Sequence, residues 1–160
     1  FNINFNLDIF FDNPWEQTHG LWGEMTFIRI INWLGKHFDI SSWQYELDLP
    51  FQSYGGYELG NVYTTFYPFY LDFGFWGVVI LTLFMSLFSL WIYKKIYSKN
   101  YDEYKKILWI VTYSYLINDL IMLPFSNRFY ETVFNISTIY IAIVFYLLVL
   151  VTRCYKKRNG

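Results

Sequence analysis

Two carboxylates and two guanidinium groups are the side chains of this 160-residue sequence best placed to do chemistry. Asp119 falls inside an otherwise apolar run from Ile107 to about Phe125, beside Asn118. An ionised carboxylate in such a run is costly enough to mark a functional position, the alternative being a packing contact with Arg128 or another helix. Asp72 stands where a polar segment gives way to a second apolar run. A carboxylate there can cap the start of a helix and meet its positive dipole end. Arg128 lies between two apolar runs, and its planar fork matches phosphate oxygens two at a time. Its other role would be interfacial anchoring. Arg29 and Lys36 could draw an anionic ligand or simply solvate one face of a helix. His19 and His37 could act as bases, as imidazoles do in many sites, but sit in no motif. There is no His-x-x-x-His, no cysteine cluster and no glycine-rich phosphate loop, so neither a metal nor a nucleotide site of recognised form is expected. No cofactor and no nucleic-acid partner is expected either.

The elements that must position these groups follow from composition. The chain is 55% hydrophobic and 25% aromatic but only 16% charged, where soluble domains carry about a quarter charged residues. The run from Phe73 to Tyr93 contains no Asp, Glu, Lys, Arg or His, and at about 1.5 Å per residue it matches a hydrocarbon core of roughly 30 Å. Two further runs, 107–125 and 133–152, have similar length. The sequence therefore predicts an all-α integral membrane protein with three transmembrane helices after a large extracytoplasmic loop, residues 1–72. Lysines crowd the connection 94–106, and Arg153, Lys156, Lys157 and Arg158 follow the third run. Basic flanks stay inside, so the turn at 94–106 and the tail at 153–160 are expected in the cytoplasm. The loop at 1–72 holds nine carboxylates against Arg29 and Lys36, and with the short turn at 126–132 it is expected outside. Trp76, Trp91 and Trp109 fall near the predicted helix ends, as an interfacial belt requires.

Within the loop, Phe27, Ile31, Leu34 and Phe38 recur at helical spacing while Arg29, Asn32 and Lys36 share another face. Met25–Phe38 is read as an amphipathic helix lying at the membrane interface, the alternative being a core helix of a small outer domain. The first residue is Phe1 and no signal peptide pattern follows it, so the sequence is expected to be the carboxy-terminal piece of a longer chain. Cys154 is read as an interfacial thiol. Asn135-Ile136-Ser137 fits a glycosylation acceptor, but its expected place at the membrane puts it out of reach.

The most distinctive stretch runs from Gly60 to Gly77. Pro68 predicts extended geometry at Tyr67, and Gly74 and Gly77, three apart, predict a close helix contact. The Asn-Val-Tyr-Thr segment at 61–64, the Pro-x-Tyr-x-Asp-Phe-Gly segment at 68–74 and the Gly-x-x-Gly at 74–77 resemble the oligosaccharide repeat-unit polymerases, the Wzy-type O-antigen polymerases. The resemblance is sharpest over residues 55–77 and covers the later part of such an enzyme. It implies a multi-pass protein of the cell (inner, plasma) membrane that joins undecaprenyl diphosphate-linked oligosaccharide units on the outer leaflet, in O-antigen, capsule or exopolysaccharide synthesis. It also implies a lipopolysaccharide-type glycosyltransferase activity, membrane lipids as surroundings and a chain-length regulator protein as partner. Under it Asp72 and Asp119 become candidate catalytic carboxylates, and Arg128, Asn61, Tyr63, Thr64 and Arg29 candidate contacts to the glycan and its diphosphate. Two other readings stay open: a multispanning transporter or flippase of lipid-linked sugars, and a related O-antigen ligase. A transporter should line facing helices with polar groups near mid-bilayer.

Overall fold

The computed structural model describes Asp8, Ile9, Asp12, residues 21–46, Leu49, residues 51–99 and residues 101–159. His19 lies outside the described residues. The segment read as an amphipathic helix opens as a turn over residues 22–26 and becomes helical over Ile28–His37, α1. A short 3-10 turn, Ser41–Trp43, folds the chain back so that residues 44–46 run beside α1. Asn32 holds that return: its side-chain amide donates to the Tyr45 carbonyl at 2.8 Å, and its oxygen accepts from the Tyr45 N–H at 3.2 Å. A two-stranded antiparallel hairpin follows, β1 (Gln52–Tyr54) and β2 (Tyr57–Gly60), turning at Gly55 and Gly56.

The first long helix, α2, spans Phe66–Ile96. It starts seven residues before the expected Phe73. Pro68 is the third residue of its first turn, where a missing N–H leaves nothing unsatisfied, so Tyr67 is helical rather than extended. The helix breaks at Gly74, whose backbone (φ 65°, ψ −161°) is open to glycine alone. Because of the bend, a Cβ on Gly77 would lie 2.2 Å from the Phe73 Cβ and 2.8 Å from the Phe69 carbonyl oxygen. The close approach predicted for Gly77 is therefore made by its own helix, doubled back at the break, and not by a neighbouring one.

Three further helices follow among the described residues: α3 (Glu103–Ile121), the one-and-a-half-turn α4 (Arg128–Val133) and α5 (Ile136–Asn159). Asp102 caps α3 by accepting from the Lys105 N–H at 3.0 Å. The segment read as a short outer turn is largely α4, and Phe129 and Tyr130 on it are 0% and 1% exposed. They join Phe69, Met85, Ile92 and Leu116 in the main core, with Phe27 set edge-on against Tyr130 at 5.7 Å. Tyr130 also donates to the Leu81 carbonyl at 2.7 Å, tying α4 to α2. The side-chain oxygen of Asn135 accepts from the Ser137 N–H at 2.9 Å, so the asparagine of the acceptor-like tripeptide caps α5.

Two of these helices have stretches long and apolar enough to cross a membrane, Phe66–Ile96 and Ile136–Tyr155. The third expected span is less apolar. α3 has 19 residues and includes Glu103, Lys105, Lys106 and Asp119. In α5 none of the apolar window is buried within the chain, and Phe75, Trp76, Ile80, Leu83 and Leu87 of α2 are exposed too. Water does not tolerate contiguous apolar area on this scale, so lipid or further helices must cover it. The hydroxyls of Ser86, Ser89, Thr112, Ser114 and Thr152 donate to carbonyls a turn earlier in their own helices, so each finds its partner within its own helix.

Local contacts sort the ends of the helices into two poles. At one, the Thr65 N–H donates to the Leu123 carbonyl at 3.0 Å and the Asn127 amide donates to the Thr26 carbonyl at 3.0 Å. That gathers the starts of α2 and α4, the end of α3 and the turn before α1. At the other, Arg153 pairs with Asp102 at 3.3 Å, bringing the basic end of α5 to the lysine-rich connection.

Candidate functional site

The first pole holds every described candidate of the sequence analysis, but it uses them differently. Asn127 is the joint. It is 5% exposed, reaches Thr26 through its amide, and its side-chain oxygen lies 3.4 Å from the Thr65 hydroxyl. The Asn61–Thr65 segment is thereby pinned across the connection between α3 and α4. Tyr63 is 2% exposed and stacks on Tyr67 with ring centroids 4.9 Å apart. With Met25 the two tyrosines form a second, smaller core. Tyr63 and Thr64 are accordingly wall residues. Asn61 is half-buried at the end of the hairpin.

Asp72 does not cap its own helix. Its two oxygens accept main-chain hydrogen bonds from Met25 (3.2 Å) and Thr26 (2.6 Å), far away in sequence. A carboxylate aimed at two consecutive N–H groups is a strong charge-assisted brace, and it fixes the turn that leads into α1. Glu24 in that turn is 1% exposed and accepts from the Leu21 N–H at 3.1 Å. Tyr45 donates to the Glu24 carbonyl at 3.1 Å. Burial first, then the nearby Glu24 and Asp72 carboxylates, push the Tyr45 phenol well above its usual range, so it stays a neutral hydrogen-bond donor.

Asp119 is 6% exposed at the end of α3 and faces α4, with Thr132, Arg128 and Glu131 around it. One oxygen, Oδ2, has no hydrogen-bond partner among the described residues. Arg128 acts on it through space, but the two form no ion pair within 4 Å, and the guanidinium is exposed. Direct pairing of Asp119 with Arg128 is therefore not what packs α3 on α4. His37 is exposed and stacks on Trp33 at 5.2 Å.

Among the described residues, a groove of about 320 Å³ is lined by the polar and charged side chains of Arg29, Asn32, Tyr45, Glu46 and Glu131, with Ile28. Arg29 and Glu131 form a loose ion pair on its lining at 3.9 Å, with 55% and 20% of their side chains exposed. Glu131 also lines a neighbouring cavity of about 60 Å³ with Tyr63, Thr64 and Asn127. One carboxylate thus borders the groove, the motif segment and the surroundings of Asp119. Sequence reasoning missed Glu131, Asn127, Tyr45 and Glu46. Asn32 and Arg29 were legible as one face of α1, and that face does line the groove. Nothing local marked Glu131, because its neighbours come from α1, from the motif segment and from α3.

Comparison with protein-family models, with curated proteins and with solved structures gives no match to this chain.

Proposed function

We propose that the chain acts in a membrane glycan polymerase, where the first pole faces outward and joins lipid-linked oligosaccharide units. The observation that carries the reading is the groove lined by Arg29, Glu46 and Glu131, whose Glu131 also lines the smaller cavity beside Tyr63 and Thr64, within the stretch 55–77 where the polymerase resemblance is sharpest. A cation, two carboxylates and a neutral phenol at the polar end of long apolar helices suit a substrate with sugar hydroxyls at one end and a lipid diphosphate at the other. Glu131 takes the proton of the attacking hydroxyl. The oxygen then bonds to the anomeric carbon, the bond to the diphosphate breaks, and the leaving anion departs with its electron pair against Arg29, with Arg128 nearby. Glu46 orients hydroxyls from the facing wall, and Tyr45, held by the Glu24 carbonyl, shapes that wall. The transporter reading has less support, since the hydroxyls along α2, α3 and α5 named above are turned back onto their own helices.

Glu131→Gln tests the site. Its ion pair with Arg29 is loose and partly exposed, and such pairs contribute about 0–1 kcal/mol, so abundance should hold. Loss of a general base costs about 10²–10⁴-fold in rate, and the ladder of lipid-linked glycan lengths should collapse to single units. A normal ladder from the variant, in cells where deleting the gene abolishes it, removes Glu131 from the chemistry. A normal ladder after gene deletion removes the polymerase reading.

The same proposal makes α3 a third crossing, running back between α2 and α5, with Lys105 and Lys106 reaching the headgroups through their long stems. Reporters inserted after Lys99 and after Tyr155 should both read cytoplasmic, and one at Ser53 external. The Arg153–Asp102 contact requires the first two to agree. Labelling of Lys99 from outside intact cells would reverse the arrangement.

A further inference from the structure

The opposite pole takes no part in this chemistry, yet it is built with care. The chain between α2 and α3 and the end of α5 carry nine lysines and arginines, 94–106 and 153–158, against Asp102 and Glu103. Asp102 is already committed, since one oxygen caps the Lys105 N–H at 3.0 Å and the other pairs with Arg153 at 3.3 Å. The Lys95 ammonium lies 5.2 Å from the Trp91 ring centre and 5.8 Å from that of Tyr101, and the Lys105 ammonium lies 5.8 Å from the same Tyr101 ring. Tyr101 is stacked on Trp109 at 6.5 Å, and Trp109 meets Trp91 edge-on at 5.5 Å. Two ammonium groups, one from the end of α2 and one from the start of α3, are thus held against a shared aromatic floor.

We propose that this floor and its two lysines form a binding site for an anionic phospholipid. An aromatic face orients an ammonium group and leaves its N–H donors free for an anion. The floor sits at the edge of exposed apolar surface, with Leu87, Leu90 and Trp91 of α2 turned outward, so a lipid whose phosphodiester meets Lys95 and Lys105 can lay its acyl chains along that helix. Basic residues beside a span attract anionic headgroups, and Lys94 and Lys99 add to the field. The site is distinguished from the field by its geometry. The inference rests on the helices crossing a membrane and is independent of glycan synthesis.

The test is lipid retention by the intact purified protein, read by native mass spectrometry with phosphatidylglycerol or phosphatidylcholine supplied in equal amounts. Phosphatidylglycerol should be retained in preference. Lys95→Gln with Lys105→Gln should cost about thirtyfold in bound phosphatidylglycerol, while the control pair Lys94→Gln with Lys99→Gln should cost far less. Glycerol 3-phosphate at the same concentration should not compete. Equal retention of the two lipids, unchanged retention by the Lys95 and Lys105 variant, or an equal loss in the control pair would each overturn the site. Competition by glycerol 3-phosphate would replace the lipid with a free phosphate ester.

Discussion

Asp72→Asn is expected to lower the stability of the protein, and to do so whether or not Asp72 touches substrate. From the sequence the substitution looks harmless, because asparagine caps a helix about as well as aspartate. In the structure Asp72 accepts from two N–H groups of another segment, Met25 and Thr26. An asparagine keeps one acceptor and turns its amide hydrogens toward the other donor. Hydrogen bonds to a charged group contribute about 1.5–3 kcal/mol each, so the loss of one and the weakening of the second should release the turn at residues 22–26 and with it the start of α1. The measurement is the midpoint of thermal aggregation of the detergent-solubilised protein, taken beside glycan ladder length per folded molecule. A lowered midpoint with a ladder in proportion to the surviving protein assigns Asp72 to bracing. An unchanged midpoint with the ladder lost would make its carboxylate a reacting group.

Gly77→Ala and Gly74→Ala should each disrupt α2, by separate mechanisms. At Gly77 the added carbon would lie 2.2 Å from the Phe73 Cβ and 2.8 Å from the Phe69 carbonyl oxygen. Neither is the loose end of a flexible side chain, so the backbone must shift. Overpacking of this kind costs about 1–3 kcal/mol and sometimes more. At Gly74 nothing lies within 4 Å of an added Cβ, and the whole penalty is the backbone conformation, about 1–3 kcal/mol. Alanine there favours a continuous helix, which would swing Phe66–Phe73 away from the line that puts Asp72 under Met25 and Thr26. The two sites share one bend, so the double variant should cost less than the sum of the singles. Full additivity in thermal midpoints, or wild-type stability of Gly74→Ala, would show that the break is not needed for the fold.

The sequence by itself determined the quantities that are local sums. Two of the long apolar helices could be placed because length and mean hydropathy depend only on consecutive residues. The face shared by Arg29 and Asn32 was legible because helical periodicity is local as well. The basic residues at 94–106 and at 153–158 were readable for the same reason, although their contact through Arg153 and Asp102 was not. What only the tertiary structure decided are the partners. Asp72 looks like a helix cap in one dimension and is a brace in three, since the N–H groups it accepts from belong to a distant turn. Gly77 looked like a seat for another helix, but the break at Gly74 folds its own helix back onto it. Glu131 sat unmarked in a short connection until α1 brought Arg29 to it and the fold set Tyr63 and Thr64 around a cavity on which it also borders. A hydrogen bond or an ion pair is fixed by a few tenths of an ångström between segments, and that distance is set by how the helices pack, which no local pattern of residues encodes.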